Sequence, residues 1–238
     1  MVFDLVDQYW EMEEMRDEAI KVYAKVLDID RSYPILAPFP QVLANYSSEE
    51  KLSVGIDFLE RLLKPQENGQ NAAGTFIGKS LSNGSFRICL FLAKTIEATG
   101  RFDLLEALMA KAKEIDLDSS KKFYLMLNYG QILHDIKGYD EAATAIWEAT
   151  VADASEDDKG WVIGITAVNL VQTWMRIIAA ESTTALQRET YCRKIESYET
   201  FESMADKSTS ICAVFARYFL MRNDGYRAKK AFLSSTIE

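Results

Sequence analysis

Histidine is almost missing from this chain, with one residue among 238. That removes His-dependent serine and cysteine triads unless another base substitutes. It also undercuts the His134-Asp135 pair, which has the order seen in metal phosphohydrolases. Divalent metals need several nitrogen and oxygen ligands, and no further imidazole exists to supply them. Proline is scarce too, at four residues, and eleven glycines are few for an all-β chain. Runs of alternating β-branched residues are lacking. Long stretches rich in Ala, Leu, Glu, Lys and Met favour helix instead. The three cysteines, Cys89, Cys192 and Cys212, form no CxxC pair. Each lies in an apolar helical pattern, as packed thiols of a reducing compartment do.

Net positive charge is also lacking. A formal charge of −9 argues against nonspecific binding to DNA or to anionic membranes. The excess Asp and Glu keep exposed helix faces solvated. The opening Met-Val-Phe-Asp-Leu-Val-Asp has neither the basic start nor the apolar core of a secretory signal. No apolar stretch approaches the roughly 20 residues that span a bilayer. These absences lead to the expectation of a soluble cytoplasmic chain, with neither nucleic acid nor membrane as partner. With 48% hydrophobic residues, residues 1–238 can bury a substantial core as one domain.

Motifs that hint at chemistry fall short of it. Gly74-Thr-Phe-Ile-Gly78-Lys79-Ser80 resembles a phosphate-binding loop, but three residues separate its glycines where four are needed, and no strand precedes it. Glu156-Asp157-Asp158 has no second acidic helix to converge with on a metal. It fits the start of a helix, where negative charge meets the positive end of the dipole. Trp10, Trp147, Trp161 and Trp174 sit at helical spacing, where large rings usually fill a core. No catalytic set, metal site or cofactor is expected, and the chain reads as a non-enzyme.

What remains is a succession of amphipathic segments. Phe3 to about Asp30 reads as a first hairpin, and Pro34, Pro38 and Pro40 then interrupt any long helix. Ser47 to Leu63 is a helix opened by a capping box of Ser47 and Glu50 and closed by Pro65. Residues 64–85, with Gly69, Gly74, Gly78 and Gly84 among Asn and Ser, read as an irregular insertion, either mobile or anchored by Phe76 and Ile77. Helices follow at Phe86–Thr99, Phe102–Ile115, Ser119–Ile136, Tyr139–Ala152, Asp157 to about Ala180, Thr184–Ala205, Ser208–Arg222 and Tyr226–Ile237.

A pattern recurs along them. Tyr129-Gly130 and Leu133 precede Gly138-Tyr139-Asp-Glu-Ala142, Ile146 and Ala149. Leu92-Ala93 and Ile96 precede Gly100-Arg-Phe102, Leu105, Met109 and Ala112, so that Phe102 and Tyr139 lie 37 residues apart. Val6, Trp10, Ala19 and Tyr23 open the chain in the same manner. Phe215-Ala216, Gly225-Tyr226, Ala228 and Phe232 close it. Small residues let paired helices approach, and a period of about 34 to 40 residues marks helical repeat arrays.

This arrangement resembles the tetratricopeptide repeat (TPR) family, with Gly130 at its first-helix glycine and Ala142, Ile146 and Ala149 at its second-helix positions. Asp7 and Leu105 depart from the pattern, and no unit keeps the terminal proline. The resemblance implies an all-α, right-handed α-solenoid of about 10 to 12 helices. It also implies a scaffold or adaptor that binds a partner segment in a concave groove lined by the first helices. Residues just after the small position then point inward: Lys94, Gln131 and Arg217. Arg87 and Phe91 stand beside Lys94, and Tyr124, Asn128 and His134 beside Gln131. Such basic, amide and aromatic groups suit an acidic protein segment or peptide. The family's carboxylate clamp is absent, since Leu90, Lys94, Leu127 and Gln131 fill the corresponding places. Two other readings stay open. One is a helical enzyme or small-ligand sensor, with an apolar pocket between Trp161, Trp174 and the last hairpins. The other is a subunit of a larger assembly, or a self-associating chain, covered at its last hairpin around Phe232.

Overall fold

The structure, a computed structural model, describes Glu18, Lys21, Val22, Lys25 and residues 49–65, 71–155, 159–199 and 209–234. Of residues 49–54, 86, 87, 159–161, 199, 209, 210 and 234 it describes the backbone alone. Most of the expected first hairpin, the proline-rich stretch after it and the Glu156–Asp158 cluster lie outside these residues, as does the Trp161 side chain. All regular structure among the described residues is helical, and the chain is all-α there. Ten helices are named: α1 Glu49–Leu63, α2 Ala72–Ser82, α3 Phe86–Thr99, α4 Phe102–Lys113, α5 Ser119–Asp135, α6 Asp140–Ala152, α7 Lys159–Ala179, α8 Ala185–Glu199, α9 Thr209–Met221 and α10 Gly225–Ser234. Where the sequence reads as one domain, the chain divides into two compact units, Met1–Lys137 and Gly138–Glu238.

The first unit is organised around α2, the segment expected to be irregular. It is a helix, and Ala72, Ala73, Gly74, Phe76, Ile77, Gly78, Ser80, Leu81 and Ser82 are all buried. Helices α4 and α5 pack against it most extensively, and α1 and α3 also touch it. The glycines that suggested a loop serve close approach. A Cβ added to Gly74 would fall 2.2 Å from the Lys111 carbonyl oxygen, and one on Gly78 would fall 2.1 Å from Ile115 Cδ1. Local signals fix both ends. Asn71 Oδ1 accepts from the Gly74 N–H (2.8 Å), while its Nδ2 donates to the Lys111 carbonyl at the end of α4 (2.9 Å). One side chain therefore caps the start of α2 and the finish of α4. At the other end Gly84 takes φ +70°. Its N–H bonds the Leu81 carbonyl and that of Ser85 bonds Ser80, the paired closure that glycine permits. Phe76 packs edge-on against Phe58 of α1, with centroids 5.7 Å apart.

In the second unit, α7 is central and packs against α6, α8 and α9. Its Val162–Ala179 stretch has mean hydropathy 1.4 and is long and apolar enough to cross a membrane. This corrects the expectation that no stretch reaches that length. Half of the stretch is buried within the protein, with Leu170, Val171 and Trp174 almost wholly enclosed. A core helix apolar on most sides passes the same test.

The buried face of α6 also differs from expectation. Ala142 and Ala149 are exposed and Ile146 is half-buried, whereas Ala143 and Trp147 are fully buried. The packed stripe lies one residue later than the repeat pattern places it, because the large Trp147 ring claims the interior. Helices α9 and α10 form an antiparallel hairpin whose corner uses Asn223 at φ +58°. Ala228 and Ala231 are buried there, while Phe232 is 59% exposed.

Candidate functional site

The residues assigned to a groove differ in their burial and in the contacts they make. Phe91 is a core residue, 2% exposed, with its ring 6.3 Å from that of Phe58. It cannot meet a partner, which corrects its assignment. Asn128 is likewise committed to the fold. Its Nδ2 donates to the Leu81 carbonyl at the end of α2 (2.8 Å) and to the Tyr124 carbonyl (2.9 Å). Its Oδ1 accepts a weak bond from Cys89 Sγ (3.7 Å), so the amide ties α2, α3 and α5 together. Burial, with the Asp135 charge adding to it, pushes the Cys89 thiol up to about 12, as expected of an inert packed cysteine.

Tyr124, Gln131 and His134 are half-buried on α5, and Gln131 donates to Asp135 Oδ1 (2.8 Å) one turn on. Lys94 on α3 is exposed and makes no hydrogen bond or ion pair among the described residues. Arg87 lies in the first turn of α3, its side chain outside the described residues. Arg217 belongs to the other unit, exposed on α9.

A cleft that the sequence reading missed lies in the second unit. Helix α8 begins with a reciprocal cap: Thr184 N–H donates to Gln187 Oε1 (2.9 Å) and Gln187 N–H to Thr184 Oγ1 (3.2 Å). Only Cys192 and Ile195 of its described side chains are buried. Ala185, Arg188, Glu189, Cys192, Arg193 and Glu196 recur every three to four residues and so share one face. With Arg222, just past α9, they line an open cleft of about 370 Å³. Arg222 Nη1 donates to Cys192 Sγ at 3.4 Å, and Arg188 Nη2 to the Ala180 carbonyl at 3.2 Å. Both carboxylates of the cleft are engaged. Arg193 pairs with Glu189, and Tyr218 Oη donates to Glu196 Oε1 at 3.0 Å. Burial first, then Cys192 and Glu196, hold the Tyr218 phenol well above its ordinary value. The helical spacing of Arg188, Cys192 and Glu196, and of Glu189 and Arg193, was readable in the sequence. The approach of Arg222, 30 residues from Cys192, was not.

A second polar cluster sits on the same unit. Lys194 Nζ pairs with Glu148 Oε1 (2.6 Å) and lies 5.6 Å from the ring centroids of both Trp174 and Tyr191. Tyr198 meets Trp174 edge-on at 5.5 Å. The indole Nε1 of Trp174 is buried and meets no hydrogen-bond partner among the described residues. Among the described residues no three His, Cys, Asp or Glu side chains gather as a metal would require. Compared with known proteins, the chain matches no family model, no curated protein and no solved structure.

Proposed function

We propose that this chain is a non-enzymatic scaffold or adaptor of TPR-like helical hairpins, acting in the cytoplasm by docking a segment of another protein. The observation that carries this reading is the α8 cleft. It runs open along one face of a helix that buries little of itself, and Arg188, Arg193 and Arg222 crowd its walls. From Ala185 to Glu196 the face extends about 16 Å at the helical rise, room for roughly five residues of extended chain. The α9–α10 hairpin with its left-handed corner supports the hairpin architecture. On the first unit Lys94, Gln131 and His134 remain as candidate contacts.

A photo-crosslinking residue at Ala185 tests the reading in the full chain. Recovery of one defined peptide of a partner protein at that position is the expected result. Strong thermal stabilisation by a metabolite, with no peptide crosslinked at Ala185, overturns it. That outcome favours the second reading, a small-ligand sensor, whose support is the unpartnered Trp174 Nε1: a buried donor left without an acceptor is costly unless a ligand or water meets it.

A further inference from the structure

We infer that the α8 cleft takes an acidic peptide segment and seats one of its carboxylate or phosphoryl groups between Arg188 and Arg222. The inference rests on the docking reading above and adds the chemistry of the docked segment. The cleft holds unmatched positive charge. The cleft walls carry three guanidinium groups and two carboxylates, and both carboxylates already accept, from Arg193 and from the Tyr218 hydroxyl. Arg188 and Arg222 meet no carboxylate among the described residues. Arg188 reaches a backbone carbonyl and Arg222 a sulfur, a weak acceptor. Each guanidinium has five N–H donors in a planar fork, so most of this capacity faces the cleft or water.

An oxyanion with two or more acceptor oxygens matches that fork in geometry and charge. Cys192 lies one helical turn past Arg188 and touches Arg222, which brings the two cationic groups to the same stretch of the cleft. In a chain of net charge −9 such a local cationic site steers an anion to one place rather than attracting anions generally.

The test titrates a fluorescein-labelled oligoglutamate peptide into the full chain at low salt and reads anisotropy. The double variant Arg188→Gln/Arg222→Gln should weaken binding by roughly tenfold or more, the scale of lost charge-assisted bonds in a part-exposed site. Lys229→Gln, an exposed change on α10, should leave it unaltered. Because Arg188 also bonds the end of α7, a variant of opposite sign guards against a folding defect. Glu189→Gln releases Arg193 and removes a competing carboxylate, and should tighten binding several-fold.

No binding by the wild type overturns the inference, as does binding indifferent to both variants. Inorganic phosphate displacing the peptide only at millimolar levels supports a peptide-borne group. Micromolar phosphate binding, or tighter binding of a labelled single-stranded RNA, overturns it. The two readings fail separately. A partner crosslinked at Ala185 whose retention ignores the arginines removes the acidic chemistry alone. Arginine-dependent peptide binding with no partner crosslinked removes the adaptor reading alone.

Discussion

Helices α2 and α8 are opposites, one in each unit. Helix α2 is built from AAGTFIGKSLS, with glycine, serine and threonine that rank poorly as helix formers. It is nonetheless almost wholly buried, and its neighbours wrap it. Helix α8 is built from ALQRETYCRKIESYE, rich in strong formers, opened by its own capping box and exposed along most of its length. The first is a helix because packing makes it one. The second is a helix because its local sequence does, so its outer face is free to carry charge. Small residues at the centre of a core draw backbones together and gain dispersion contacts that larger residues would block. The same smallness, met in a sequence, looks like a loop.

Phe76 carries the largest expected effect. It is 1% exposed and packs against Phe58. Phe76→Ala should cost about 3–5 kcal/mol, a large share of the stability of a domain this size. Urea unfolding followed by circular dichroism measures it, and a loss under about 1 kcal/mol would mean that α2 is not the centre of the first unit.

The two glycines sharpen the point. A Cβ at Gly74 collides with backbone, the Lys111 carbonyl oxygen, and with the Asn71 side chain that caps the helix. A Cβ at Gly78 meets chiefly the tip of the Ile115 side chain, which can rotate away. Alanine gains roughly 1 kcal/mol of helix propensity at either place. Gly74→Ala should therefore destabilise by about 1–3 kcal/mol as overpacking does, and Gly78→Ala by clearly less. If the order reverses, the close approach of α2 and α4 is wrong.

These two helices also measure what the sequence could tell. Periodicity placed α3 at Phe86–Thr99 as observed, and α1 and α4 to α7 within about two residues. Those elements have an apolar face, and a period is visible only where one face differs from the other. Helix α2 is buried on nearly every side, so it has no polar face to reveal a period. Two of the groove residues were misplaced for a related reason. Whether Phe91 looks outward depends on what covers α3, and α1 does so through Phe58 and Gly55. Asn128 reads as a polar contact until the Leu81 carbonyl is placed beside it. The cleft needed one long-range fact, the meeting of Arg222 with Cys192, which no local pattern encodes.

A smaller effect appears only in alkali. Burial, then the Asp135 charge, pushes the folded Cys89 thiol from its ordinary 9.0 up to about 12. An acid whose folded value is raised binds its proton more tightly when native. Its contribution is thus whole below about pH 9 and is lost as pH rises from 9 towards 12. Wild type should lose more stability than Cys89→Ala over that window, read as the shift in urea midpoint. Parallel slopes would mean that the thiol is not buried beside α5.

The smallest effect belongs to α8. Leu186 is 75% exposed and lies just beside the face that lines the cleft. Nothing is buried with it to lose, and alanine is at least as good a helix former. Leu186→Ala should change stability by no more than about 0.5 kcal/mol, an order of magnitude below Phe76→Ala although both remove a large apolar side chain from a helix. The same urea measurement serves for both. A cost at Leu186 of about 2 kcal/mol or more would place it against a surface outside the described residues. A concentration-dependent melting temperature would then identify that surface as another copy.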